Sequence, residues 1–168
     1  MADPLKRNPQ RLRRVRLSLS ALILCGLISG GVAHPQSEGV VNRLDHAGLD
    51  KMMRAEGYPL LIVAVAAWCG PCREELPALI KIYDRYKDKG VKIIGLSVDF
   101  EGPEAMQPIV KRLGVNFPVY WVGEKGLQEY NIRTIPILFF VRNGRIEEKI
   151  VGKRSEAFID QKVQDFLK

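Results

Sequence analysis

Cysteine is scarce in this chain, with three among 168 residues, and histidine is scarcer, with two. A secreted scaffold stapled by disulfides carries several well-separated pairs, so that class is excluded. A zinc set needs four nitrogen or sulfur ligands at short spacings. Neither His34 nor His46 falls where it joins Cys69 and Cys72 in one. Long apolar runs are missing too. The stretch LSLSALILCGLI, Leu17 to Ile28, is short of the roughly 20 residues that a membrane-spanning helix needs. Repeats and low-complexity tracts are absent. What remains is an ordinary apolar share, 46%, which argues against disorder and for one globular domain.

Acidic residues are outnumbered, 19 against 26 basic ones, for a net charge of +7. The excess sits at the front. Residues 1–33 hold Lys6, Arg7, Arg11, Arg13, Arg14 and Arg16 against Asp3, which leaves only two of the seven excess charges for the rest. A remainder that close to balance gives no electrostatic case for nucleic acid, and none is expected as a partner. A basic stretch, a short apolar core and the small-x-small pair Gly31 and Ala33 together read as a secretory signal peptide over 1–33. Cleavage is expected after Ala33, with an uncleaved N-terminal anchor as the alternative. Bulky Leu24 disfavours a lipid on Cys25. Residues 34–39 form a polar linker, 40–168 the domain, and the expected location is outside the cytoplasm, in the periplasm.

The exported part keeps two cysteines, in AWCGPCR, Ala67 to Arg73. A bridge across two residues closes almost no loop and stabilises little through chain entropy. The spacing alone fits a disulfide switch or half a metal site. The flanking pattern places it. Leu60–Ala67 is a continuous apolar run of strand length, as expected for a strand buried on both faces. From Pro71 to Asp88 the pattern is helical, with Leu76, Leu79, Ile80 and Tyr83 on one face, and Pro77 inside it predicts a bend. Cysteines therefore stand at a strand-to-helix turn.

Elsewhere Val40–Leu44 reads as a short strand, and Asp45 caps a helix over His46–Glu56. Val91–Val98 is a second buried strand, Glu104–Leu113 a helix, Phe117–Trp121 a strand and Leu127–Tyr130 a brief helical turn. Ile137–Val141 and Ile146–Val151 form a hairpin through Asn143-Gly144. Ser155 caps a last helix with Phe158, Ile159, Val163 and Phe166 facing in. The order predicts an α/β fold with a mixed central sheet flanked by helices.

WCGPC at that turn, Pro77 five residues beyond Cys72, and YNIRTIPILFFVRNG, Tyr130 to Gly144, together resemble thioredoxin. Gly152 also matches. The resemblance covers Val40–Lys168 and implies that Ile135-Pro136 holds a cis-proline facing the disulfide. The added helix and strand of 100–121 are similar to exported TlpA/ResA-like reductases, and Glu75 falls where those carry a glutamate near the active site. Cytoplasmic thioredoxin has a buried acid on the strand before the motif, whereas Val63 stands here.

Such a resemblance implies an enzyme that exchanges thiols and disulfides. Cys69 is the expected nucleophile, its thiol acidified by the helix N-terminus, and Cys72 the resolving thiol. Glu75 is the candidate for moving the Cys72 proton, with an exposed helix charge as the plain alternative. Trp68, Gly70, Pro71 and Ile135 shape the substrate groove. Asp99 reads as a turn residue, His34 and His46 as surface residues. Gly-Pro between the cysteines is the pair of reducing thioredoxin, about −270 mV against about −120 mV for the oxidant DsbA.

The leading expectation is a periplasmic reductant of protein disulfides, fed by a membrane electron donor and serving cytochrome c maturation or copper-site assembly. An oxidase or isomerase is the second reading and a copper chaperone the third. No bound cofactor beyond the Cys69–Cys72 disulfide and no metal are expected, and the chain is expected to be a monomer.

Overall fold

The six side chains from Leu60 to Val65 are all buried, which makes this strand the axis of the molecule. The computed structural model describes residues 39–55 and 58–168. The expected signal peptide, Cys25, His34, all of the linker but Gly39, and Glu56 lie outside the described residues. In chain order the elements are β1 (Val41–Arg43), α1 (His46–Arg54), β2 (Leu60–Val65), α2 (Gly70–Tyr86), β3 (Lys92–Ser97) and α3 (Pro103–Leu113). They continue with β4 (Val119–Trp121), α4 (Gly123–Glu129), β5 (Ile137–Arg142), β6 (Arg145–Val151) and α5 (Glu156–Phe166).

The strands form one six-stranded sheet in the order β1-β4-β3-β2-β5-β6. β1, β4, β3 and β2 run parallel, while β5 pairs antiparallel with β2 and β6 antiparallel with β5. A strand with neighbours on both edges and cover on both faces needs apolar side chains at every position, which explains LLIVAV. The hairpin turns through Asn143 and Gly144, both at positive φ, the pair that a two-residue loop of this twist requires.

The sequence-predicted elements are all present, with three local corrections. On α2 the fully buried row is Cys72, Glu75, Leu76, Leu79, Ile82 and Tyr86, while Ile80 and Tyr83 are only partly covered. The buried face is rotated because α5 packs along it: Asp160 accepts from Tyr86 Oη at 2.9 Å and from Arg85 at 2.5 Å. Phe158 is not part of the core. It is 39% exposed, with the cations of Arg154 and Lys162 5.5 and 5.9 Å from its ring, because it lies about 100° around the helix from the Ile159 position. The turn expected at Leu127–Tyr130 is the end of α4, which begins four residues earlier at Gly123. α2 itself continues through Pro77 as one 17-residue element.

The three-residue edge strand β1 is pinned by one side chain of α3. Gln107 Oε1 accepts the Val41 N–H at 2.9 Å, and Gln107 Nε2 donates to the Gly39 carbonyl at 2.5 Å. Gln107→Ala removes both bonds at about 1 kcal/mol each and loosens β1 selectively. Hydrogen exchange checks this: the Val41 amide is expected to lose protection while the amides of β2 keep theirs.

Candidate active site

β2 leaves the sheet at Val65, and α2 starts five residues later. The turn between them is held by hydrogen bonds at Ala66, Ala67 and Cys69. The Cys69 N–H donates to the Ala66 carbonyl at 3.1 Å, and the Cys69 carbonyl receives the Arg73 N–H at 3.2 Å. Cys69 is the N-cap of α2: its Sγ accepts the Cys72 N–H at 3.2 Å. The two sulfurs are bonded at 2.03 Å, with the Cα atoms 5.3 Å apart. Cys69 keeps 5% of its surface, whereas Cys72 has none. An outside group therefore reaches the pair only at Cys69. When the bond is reduced, a thiolate at that position gains the helix N-terminal charge and a hydrogen bond from the Cys72 amide, which already points at that sulfur.

Ala67 is gripped from two directions. Its N–H donates to both oxygens of Asp99, at 2.9 and 3.1 Å, and its carbonyl accepts from Arg73 Nη1 at 2.7 Å. Asp99 also accepts the Ser97 hydroxyl at 2.8 Å, and its carbonyl receives Trp121 Nε1 at 2.7 Å. The turn residue expected at Asp99 is thus a fully buried clamp just beyond β3. Burial raises its carboxyl above the usual carboxylate range, against the lowering by the Ser97 and Ala67 donors. Nothing local in the sequence marks this role, since Ala67 is 32 residues away.

Ile135-Pro136 is a cis peptide, as the resemblance implied. The register Ala64↔Ile137 puts Pro136 at the end of β2 from which the cysteines depart. Its carbonyl accepts the Gly152 N–H at 2.8 Å. Val63 is fully buried, with Leu138 and Gly95 beside it in the sheet.

Glu75 is 1% exposed, which rules out the exposed helix charge. It lies one turn beyond Cys72 on the buried face of α2. Oε1 accepts the Arg154 N–H at 2.7 Å, and Oε2 has no hydrogen-bond partner among the described residues. Burial pushes this carboxyl above its ordinary range. The Arg154 amide and the charges of Arg154 and Lys153 pull it back only in part.

Trp68 is 57% exposed and stands with Ile135 on the wall of a cavity of about 430 Å³ beside the turn. Phe100 and Arg133, which sequence reasoning did not single out, line it as well. Gly70 and Pro71 form the first turn of α2. His46 is a surface residue as expected, bonded to Tyr130 Oη at 3.0 Å and 3.1 Å from Glu129, and it does not join the cysteines. Among the described residues no three His, Cys, Asp or Glu side chains cluster as a metal site.

A parallel sheet extended by an antiparallel hairpin, with a cysteine pair capping the helix after its central strand, defines a thioredoxin-fold protein. The chain belongs to the AhpC/TSA family, which it matches over residues 46–163. It is similar to the thiol-disulfide oxidoreductase ResA of Bacillus thuringiensis (strain Al Hakam), 33% identical over 103 residues, which cover 60% of this chain and 57% of that protein. The chain thus spans a little over half the length of that relative. ResA of Oceanobacillus iheyensis is 25% identical over 169 residues, 88% of this chain and 87% of the relative. Among solved structures it is similar to StoA from Bacillus subtilis, with a TM-score of 0.56 and 26% identity over 64% of this chain and 83% of that one. A thioredoxin-family thiol:disulfide interchange protein from Chlorobium tepidum TLS gives a TM-score of 0.62 and 25% identity over 71% and 85%.

The two buried carboxyls can be told apart by substitution. Asp99→Ala strands the Ala67 amide and the Ser97 hydroxyl and is expected to cost about 2–4 kcal/mol, whereas Asp99→Asn keeps an acceptor for Ala67 and costs less. Denaturant unfolding of the oxidised chain measures both. Glu75 binds its proton more tightly folded than unfolded, so its contribution to stability falls as pH rises from about 4.3 through the raised folded value. Glu75→Gln is expected to flatten that fall, read from unfolding midpoints across the same pH window.

Proposed function

We propose that this chain is an exported thiol:disulfide oxidoreductase that works as a reductant of protein disulfides. The observation that carries the reading is the asymmetry of the pair: Cys69 caps α2 and meets solvent, while Cys72 is buried one turn behind it. The Cys69 thiolate attacks one sulfur of a client disulfide, forming a mixed disulfide and releasing the first client thiolate. Cys72 then attacks Cys69 Sγ, the second client thiolate leaves, and the Cys69–Cys72 bond is restored. Two electrons pass to the client, so a dithiol donor must reduce the chain before each cycle.

Each neighbour has a place in this cycle. Cys72 is fully buried and must lose its proton there, and Glu75 Oε2, on the same face of α2, is a buried oxygen with no partner among the described residues. Glu75, whose carboxyl burial makes more basic than an ordinary carboxylate, takes that proton as Cys72 attacks Cys69 and returns it when the Cys69–Cys72 bond is next reduced. Pro136 and Ile135 border the approach to Cys69, and Trp68 forms its exposed side. Asp99 holds Ala67 and through it the position of the turn. The names of the relatives support the chemistry. Gly70-Pro71 favours the reducing direction. The basic and apolar N-terminal pattern supports export to the periplasm, where a membrane donor supplies electrons and cytochrome c maturation or copper-site assembly consumes them.

The test is the reduction potential of the Cys69–Cys72 pair in dithiothreitol or glutathione buffers. A value at or below about −230 mV is expected, and one between about −180 and −120 mV would make the chain an oxidase or isomerase. In the same protein, Cys72→Ser is expected to accumulate a mixed disulfide through Cys69, while Cys69→Ser forms none and has no turnover. Mass spectrometry of the trapped adduct reads the assignment of the two sulfurs.

A further inference from the structure

Phe100 is 63% exposed and Trp68 57%, the two most exposed large apolar side chains among the described residues. They stand on the same cavity, about 430 Å³, whose remaining apolar wall comes from Val98, Leu127, Ile132 and Ile135. A volume of that size takes one or two large side chains. The wall holds one charged residue, Arg133. Its guanidinium is steered by Nε, which donates to Asn131 Oδ1 at 2.9 Å, and it makes no ion pair with any described residue. An apolar trough with one oriented, uncompensated cation at its rim is complementary to a segment that carries an apolar side chain and a carboxylate.

We propose that this groove selects clients. It binds the chain beside the target cysteine, and it favours a segment with a branched aliphatic or aromatic residue and an acidic residue close to that cysteine. The apolar residue lies between Trp68 and Phe100, and the carboxylate meets the terminal nitrogens of Arg133. The assignment rests on the oxidoreductase reading above, because Trp68 ties the groove to Cys69. The exchange itself is unchanged: the Cys69 sulfur bonds to the client's cysteine sulfur, the partner thiolate leaves, and Cys72 completes the two-electron transfer.

The experiment uses the full chain, dithiothreitol as donor, and two cysteine peptides that are mixed disulfides of 2-mercaptoethanol. Both carry a leucine near the cysteine; one adds a glutamate and the other a lysine in its place. At low salt kcat/KM for the glutamate peptide is expected to exceed that for the lysine peptide about threefold, the size of one exposed charge pair. The preference shrinks as added salt screens it. Arg133→Glu inverts the preference, which a merely misfolded variant cannot do, and Phe100→Ala lowers kcat/KM for both peptides. Equal rates for the two peptides on both wild type and Arg133→Glu would overturn the groove assignment. So would sedimentation showing a dimer that Phe100→Ala dissolves, since the groove would then hold a second copy of the chain. If wild type reduces a small uncharged disulfide but shows no peptide preference, the groove assignment fails and the oxidoreductase reading stands. If it reduces neither, the oxidoreductase reading fails and the groove assignment falls with it.

Discussion

Ala67 carries no chemistry of its own, yet the site is suspended from it. Its N–H is held by the buried carboxylate of Asp99, and its carbonyl by the guanidinium of Arg73. One grip comes from the end of the neighbouring strand β3, the other from the first turn of the helix that follows. Between them the chain must stop being a strand and become a helix within five residues, and only one path satisfies both. That path puts the Cys69 sulfur on the Cys72 amide at the start of α2 and leaves Trp68 exposed. A hydrogen bond to a buried carboxyl is directional and costly to break. It is therefore suited to hold a turn whose two sulfurs must meet, part and meet again.

Two buried acids flank the pair, and their hydrogen bonding separates their roles. Both are pushed up by burial. Asp99 has donors on both oxygens, so its acceptor capacity is spent on structure. Glu75 has one oxygen bonded to the Arg154 amide and one with no partner among the described residues. A buried oxygen left unpaired costs on the order of 1–3 kcal/mol, and a fold keeps such a group only where something offsets it. The sequence fixes Val63 where thioredoxin has an acid, yet the sheet side of the pair is not short of carboxyls. One simply arrives from β3 and the other from α2.

How much of this could be read from residues depends on the range of the contact involved. β2 was legible because burial on both faces demands an unbroken apolar run, and the hairpin because Asn143-Gly144 supplies the positive φ its turn needs. The cysteine pair and Ile135-Pro136 were legible through their resemblance to thioredoxin. Asp99 was not, since an acid after an apolar strand looks the same whether it meets water or a distant amide. Phe158 and the face of α2 were misassigned for a related reason. Helical spacing gives a stripe, but which flank of the stripe is covered depends on where α5 lies, and that is a tertiary fact. Phe100 and Arg133 lie inside stretches the sequence did flag, the 100–121 segment and Tyr130–Gly144, but neither was singled out, because they matter only through the cavity they share with Trp68.

The division of labour in the fold follows from these placements. The turn after β2, α2 and the cis-proline loop carry everything the proposed exchange requires, and they sit at one end of the central strands. The far wall of the groove comes from elsewhere: Phe100 from the loop into α3, and Leu127 from α4. The side chains of that wall take no part in the Asp99–Ala67–Arg73 grip, although Phe100 directly follows Asp99. Chemistry that depends on sub-ångström geometry is thereby separated from selection, which depends on an apolar trough and one charge. Cys69 exposes only 5% of its surface, so a client must be seated before its disulfide can come into line with that sulfur. Under the proposed mechanism the groove then governs how often the seated geometry is reached, and the helix N-terminus governs how readily the sulfur reacts once it is.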